Sequence, residues 1–289
     1  MFTPRLSNIL GAIAENKRFG EELELETKFG KYGINNNFMS NIEWFQFERL
    51  RNKLRTISLE SITCISDYRQ KNIRRRVIRL PGEEERVIWQ EKSKLQNFNF
   101  PDYEIRLSLS RERNLSPQEV SSMTFNVEFI RDIKRYSYTI NDSNTVIRFD
   151  LSEVMNINDR NSMMSYEPQN CEEEKRANVT YEVEVEYVNV YEFNQELFDI
   201  YQRYIGNVFR WMNDSIEIYT VREREKLVSD LDTVLEDNLG RSLFVQARNL
   251  KFHDLVYWET FVHQGLQVWV VQLISVLVQE EVNFLYQFA

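Results

Sequence analysis

Between Glu21 and Val188 the chain alternates polar and apolar residues at a period of two in stretch after stretch. In "ELELETK", Leu23 and Leu25 point one way while Glu22, Glu24, Glu26 and Lys28 point the other, because successive side chains leave opposite faces of a strand. "TYEVEVEYV" sets Glu182, Glu184 and Glu186 against Val183, Val185 and Tyr187. "RVIWQEKSKL" sets Gln90, Lys92 and Lys94 against Trp89, Glu91 and Ser93, and "YEIRLSLSRE" sets Arg106, Ser108 and Ser110 against Ile105, Leu107 and Leu109. "VIRFDLSEV" sets Arg148, Asp150 and Ser152 against Ile147, Phe149 and Leu151. Repeated strands with few long helical runs between them predict an antiparallel barrel or sandwich.

Helical spacing brackets these strands. Leu6–Lys17 reads as a short amphipathic helix and Ser40–Arg55 as a longer one, with Ile42, Phe45, Phe47 and Leu50 on its apolar side. From Asn194 the period changes: Leu197, Ile200, Tyr201, Tyr204, Val208 and Trp211 recur at helical intervals, and a further helix follows with Gly240 as its stop. The expected organisation is one domain over residues 1–240, with strands at about 21–189 and helices at 194–240, followed by a region of different character over 241–289.

Composition narrows the class. With 42% apolar and 28% charged residues the chain is globular rather than disordered. A net charge of −9 argues against a general nucleic-acid coat but leaves room for a local basic channel. Cys64 and Cys171 form no Cys-x-x-Cys motif, which fits a reducing compartment without a disulfide framework or zinc site. The start lacks the pattern of a signal peptide, and Gly265–Val278 is too short and too interrupted by glutamines for a membrane span. The expectation is a cytoplasmic chain with no membrane partner.

The polar faces sort by sign. Glutamates gather on two strands far apart in sequence, while Lys92, Lys94, Arg106, Arg148 and the run "FIRDIKRYSY" supply cations. For any single strand, a solvated face is the ordinary reading. For the set it is weaker, since like charges along or across strands destabilise a sheet. If these faces turn inward in a closed barrel, clustered carboxylates need a cation. Oxygen-only ligation without His or Cys nearby selects a hard divalent ion, Mg²⁺ or Mn²⁺. The Arg and Lys residues then need an anion, and several together suit a polyphosphate. Such equipment serves phosphoryl transfer. His253 and His263 lie outside this region, and no phosphate-cradling glycine loop is present.

The set resembles the triphosphate tunnel metalloenzymes, in particular the fungal and large-DNA-virus branch of messenger-RNA capping RNA 5′-triphosphatases. "ELETKFG" is similar to that branch's first metal strand, "RLSLSRE" to its arginine strand, "RFDLSEV" to the strand with an internal aspartate, and "YEVEVEYV" to its last metal strand. The resemblance implies a mainly β, α+β fold: an eight-stranded antiparallel barrel with flanking helices. It implies Glu24, Glu26, Glu184 and Glu186 as metal ligands. Lys28, Lys92, Arg106, Arg131 and Arg135 are implied as phosphate contacts, and Asp150 as an orienting acid. The implied reaction removes the γ-phosphate from triphosphate-ended RNA or nucleoside triphosphates, the first step of capping. The catalytic set so implied is Glu24, Glu26, Glu184, Glu186, Arg106, Arg135 and Asp150. Other readings are a tripolyphosphatase of the same fold and a non-catalytic RNA-end-binding subunit.

One strand departs from the family pattern. Counting back from Ser137, the alternate residues are Arg135, Ile133 and Arg131, which puts Lys134 out of phase, either outward or re-aimed by a bulge. "NIRRRVIR" (Asn72–Arg79) reads more readily as a solvated basic edge than as a further wall. "QARNLKFHDLVYW" (Gln246–Trp258) resembles the junction to a guanylyltransferase domain in viral capping enzymes, so such a partner domain or chain is expected. No Lys-x-Asp-Gly motif follows, and the tail reads as a truncated or frame-shifted remnant, or as a helix or hairpin packed on the barrel. A viral chain would work in a viral factory or virion.

Overall fold

The computed structural model describes residues 6–142, 145–166, 179–188, 190, 194–213 and 218–229. The chain divides into two compact units at Val208/Phe209. In the second, the described part includes a helix at 221–229, opened where Thr220 Oγ1 accepts from the Glu223 amide at 3.2 Å. The region 241–289, Cys171 and most of the last expected helix lie outside the described residues.

The first unit begins with α1 (Leu6–Asn16) and β1 (Leu23–Phe29), followed by a small hairpin, β2 (Lys31–Tyr32) and β3 (Phe38–Met39), and by α2 (Trp44–Arg55). Then come β4 (Ser61–Gln70), β5 (Ile73–Arg79), β6 (Arg86–Phe100), β7 (Ile105–Asn114), the short α3 (Pro117–Ser122), β8 (Phe129–Asp142) and β9 (Thr145–Ile157). The short α4 (Arg160–Met164) and β10 (Thr180–Val188) follow, and α5 (Gln195–Asn213) runs across the division at Val208/Phe209. Eight strands close into an antiparallel barrel in the order β1-β10-β9-β8-β4-β5-β6-β7. The two glutamate strands are therefore neighbours, with Glu26 opposite Glu186 and Lys28 opposite Glu184. Strand β9 continues the row, with Asp150 opposite Glu184 and Arg148 opposite Glu186.

Alternation does the rest. Leu25, Phe29, Phe149, Leu151, Val183 and Val185 are buried on the outer face of the barrel, so the core lies outside it, under the helices. Helix α5 brings Phe198, Tyr201 and Ile205 to this layer, and α2 brings Phe47, Leu50 and Leu54. The rings of Tyr187 and Tyr201 meet edge-on at 6.0 Å, and Phe47 packs 5.0 Å from Tyr181. Each such fully buried side chain contributes about 1.5–3 kcal/mol over an exposed one.

Two elements differ from expectation. Helix α2 starts at Trp44 rather than Ser40, because Ile42 donates its amide to the Tyr181 carbonyl at 2.9 Å and holds the preceding segment extended. A bulge between Lys94 and Gln96 re-phases β6, so Phe98 and Phe100 join the outer core beyond it.

Glu60 ties the end of α2 to the barrel. It accepts from Arg51 and Arg55, each at 2.9 Å, and from the Tyr138 hydroxyl. Burial pushes this carboxyl up, but those hydrogen bonds prevail and hold it down at about 2, below its ordinary 4.5. A depressed carboxyl stabilises the fold fully above its ordinary value, and that contribution fades as pH falls toward the folded value. Glu60→Gln is expected to cost about 1–3 kcal/mol at neutral pH. In urea titrations the gap from wild type should narrow between about pH 5 and pH 2.

Candidate active site

The inner face of the barrel encloses a cavity of about 120 Å³ lined by eight cationic side chains, six carboxylates and Ile133. Strands β1 and β10 supply Glu24, Glu26, Lys28, Glu184 and Glu186, while β4, β5 and β8 supply Arg69, Arg74, Arg76, Arg131 and Arg135. Strands β1 and β4 stand four places apart either way round the barrel. Carboxylates thus face guanidiniums across the tunnel.

Ion pairs hold each group in place. Lys28 Nζ lies 2.6 Å from Glu184 and 3.2 Å from Glu26. Lys92 pairs with Glu24 and lies 3.4 Å from Glu26, and Ser110 donates to Glu24 at 2.9 Å. Asp150 accepts from Arg135 at 3.0 Å, Arg148 at 3.2 Å and Ser137 at 2.6 Å, so it orients both arginines. Arg131 donates to Glu182 at 2.7 Å. On the opposite wall Asp67 takes both nitrogens of Arg76 at 2.7 and 2.8 Å and Arg69 at 3.1 Å, and Arg74 pairs with Glu112.

The carboxyls do not share one environment. Burial pushes Glu24 up, yet Lys92 overrides it and holds the group at about 2, while Lys28 and Arg135 outweigh burial at Glu184 and keep it well below its ordinary value. Burial raises Glu26 despite Lys28 and Lys92, and raises Glu186 to about 8 despite Arg148, with neighbouring carboxylates adding to both. Glu26 and Glu186 are therefore the two carboxyls of the cluster whose ionisation the fold opposes, while Glu24 and Glu184 are held charged by their cations. Among the described residues no three acidic groups converge as metal ligands; the ammonium groups of Lys28 and Lys92 stand between them. As a donor set of carboxylate oxygens with no His or Cys among them, Glu24, Glu26, Glu184 and Glu186 suit a hard divalent cation.

Of the residues singled out in sequence, Glu24, Glu26, Lys28, Lys92, Arg131, Arg135, Asp150, Glu184 and Glu186 share this cavity. Arg106 does not: it stands at the start of β7, paired in register with Lys28 but outside the lining. Lys134 also stays out, between Cys64 and Glu153 in the sheet, and Ile133 takes the inward position. Ile133 packs with Ile65 and Val154, its register neighbours, as a dry strip in the charged wall. Arg74 and Arg76 line the tunnel instead of forming a solvated edge, while Arg75 between them turns out over the Tyr68 ring. Arg69, Arg148 and Glu112 complete the lining, and Asp67 braces the wall behind it.

The outer layer braces the acidic seam. Tyr201 donates its hydroxyl to the Val185 carbonyl at 2.7 Å, so the Thr27 hydroxyl at 2.9 Å donates to it. Thr27 and Val185 are register partners, flanked on the inner face by Glu26, Lys28, Glu184 and Glu186. Tyr201→Phe leaves both groups short of a partner and is expected to cost about 1–3 kcal/mol, read as a lower urea midpoint at unchanged slope.

A closed eight-stranded antiparallel barrel with flanking helices and a charged tunnel is the class these features define. Among solved structures the chain is similar to the mimivirus capping-enzyme triphosphatase, at 15% identity and a TM-score of 0.46, over 71% of this chain and 96% of that one. It is also similar to an RNA triphosphatase of S. pombe, at 15% identity and a TM-score of 0.47, over 72% and 92% of the two chains. No protein-family profile matches the sequence, and neither does any curated protein. Among the described residues no helix is long and apolar enough to cross a membrane.

Proposed function

We propose that this chain is a metal-dependent RNA 5′-triphosphatase that removes the γ-phosphate from triphosphate-ended RNA. The observation that carries this reading is the facing of carboxylates on β1 and β10 by guanidiniums on β4, β5 and β8 within one tunnel. Glu24, Glu26, Glu184 and Glu186 would hold a Mg²⁺ or Mn²⁺ ion, which when bound offsets charge on the phosphoryl oxygens. Arg135 and Arg148, oriented by Asp150, bind the phosphates together with Arg131 and the wall of Arg69, Arg74 and Arg76. Their fixed positions stabilise charge where it spreads in the transition state, without reorganising at that moment. Lys28 and Lys92 move between carboxylate and phosphate oxygens as counter-charges.

A tunnel carboxylate holds a water in line with the terminal phosphorus and accepts its proton. The water oxygen bonds to that phosphorus, the bond to the β-phosphate bridging oxygen breaks, and the products are a diphosphate end and orthophosphate. A diphosphate end is the acceptor for guanylyl transfer, so a guanylyltransferase domain or chain acts next. The test is release of labelled phosphate from γ-labelled triphosphate-ended RNA with Mg²⁺, Mn²⁺ or a chelator. Metal-dependent release is expected; no release from folded protein with either metal leaves a non-catalytic RNA-end-binding subunit as the better reading.

A further inference from the structure

Every cation lining the tunnel cavity has a carboxylate within ion-pair distance: Lys28 and Lys92 on the glutamates, the six arginines on Asp67, Glu112, Asp150, Glu182 or Glu186. Arg106 has none among the described residues. It lies on the tunnel face of β7, opposite Lys28 in register and beyond the cavity. Its Nε donates to Asn99 Oδ1 at 2.9 Å, which aims the guanidinium without neutralising it, and its Cζ lies 4.7 Å from the centre of the Phe38 ring. An oriented, uncompensated guanidinium beside an aromatic ring is suited to an anion that carries a flat base.

The β2–β3 hairpin that carries Phe38 is mounted rigidly at this place. A Cβ on Gly30 would come within 1.9 Å of the Met39 carbonyl oxygen, so only glycine allows the hairpin to lie against the end of β1. The Tyr32 hydroxyl donates to the Ile105 carbonyl at 2.8 Å, and the Tyr32 and Phe38 rings lie 5.1 Å apart. Lys94, exposed on the tunnel face of β6, adds a second cation without a carboxylate partner among the described residues.

We propose that Arg106, Phe38 and the hairpin form a rim site for the first nucleotide of the RNA. In this site Arg106 takes the phosphodiester that follows that nucleotide, and Phe38 adds a stacking surface. This rests on the triphosphatase reading and deepens it: the tunnel grips the triphosphate, which any polyphosphate offers, and the rim selects RNA. Inorganic tripolyphosphate has no group for the rim, and a free nucleoside triphosphate has no phosphodiester.

The test compares kcat/KM of the full chain on triphosphate-ended RNA, ATP and tripolyphosphate, for wild type, Arg106→Gln, Arg106→Lys and Phe38→Ala. Binding of the same RNA is followed by fluorescence anisotropy. Arg106→Gln should lower the preference for RNA over tripolyphosphate roughly tenfold, the scale of one lost charged contact, and weaken RNA binding to a similar extent. Arg106→Lys keeps the charge and should recover part of the RNA preference, while Phe38→Ala should reduce turnover of RNA and ATP more than that of tripolyphosphate. Equal losses on RNA and tripolyphosphate, in protein with wild-type melting behaviour, would overturn the rim. So would RNA binding unchanged by Arg106→Gln. If wild type hydrolyses none of the three, the hydrolase reading falls separately, and the anisotropy series still decides the rim.

Discussion

Glu26→Gln and Glu186→Gln are each expected to lower phosphate release from triphosphate-ended RNA by roughly a hundred- to a thousandfold. Both variants should melt at the wild-type temperature or above. The two glutamates face each other across β1 and β10, and both have carboxyls raised by burial and by neighbouring acids. A raised carboxyl is one whose charge the fold opposes, and the penalty grows as pH rises above its ordinary 4.5. Glutamine keeps the shape and removes the charge, so the buried cluster relaxes, while a divalent cation of the proposed mechanism would lose a ligand. Lys28 retains Glu184 and Lys92 retains Glu24, so neither variant strands a buried ammonium. Lost activity with retained or raised stability is the trade-off expected of a functional cluster. A variant that falls apart would instead mark a structural ion pair. Full activity in either variant would remove that carboxylate from the site.

The acidic half of this site was legible in sequence because two strands far apart each carry glutamates at period two, an arrangement that disfavours a sheet unless a counter-charge lies near. That pattern marked Glu22, Glu24 and Glu26 on one strand and Glu182, Glu184 and Glu186 on the other; only the family resemblance narrowed them to Glu24, Glu26, Glu184 and Glu186, which the structure brings to one seam. Alternation from Ser137 put Lys134 out of phase but left an outward face and a bulge both open; β8 pairs with β4 and β9 without a register shift there, which decides for the outward face. Alternation gives the face and not the position along the barrel axis. Arg106 shares the tunnel face with Ser108 and Ser110, yet only its register with Lys28 and its contact with Phe38 place it at the rim. The wall on β4 and β5 was hidden for another reason. Arg74, Arg75 and Arg76 run together, so their alternation is masked by composition, and the inward phase emerges only when Arg76 meets Asp67 on the neighbouring strand. The start of α2 escaped because a backbone bridge from Ile42 to Tyr181 overrides a helical apolar pattern.

That hidden wall carries the largest expected effect on stability. Asp67→Ala should cost about 3–5 kcal/mol at neutral pH, the scale of breaking a buried ion pair from one side. Asp67 is fully buried and holds Arg76 through two hydrogen bonds and Arg69 through a third. Burial alone would raise its carboxyl; the hydrogen bonds and charges of Arg76, with Arg74 and Arg69 behind, drive it far below its ordinary 3.8 instead. Its contribution is therefore complete above that ordinary value and is lost only in stronger acid, so the variant should differ from wild type throughout the neutral range. Without Asp67, guanidiniums of one sign face one another with no carboxylate between Arg76 and Arg69. An anion can then replace the missing acid. Added phosphate or tripolyphosphate should raise the urea midpoint of Asp67→Ala more than that of wild type, because the anion binds the folded wall and not the unfolded chain. Asp67→Asn, which keeps a hydrogen-bond acceptor but no charge, should fall between the two. Equal stability of Asp67→Ala and wild type would mean that water screens this wall and that its arginines do not need the acid. An equal response to anions would separate the wall from phosphate binding and leave that role to Arg131, Arg135 and Arg148.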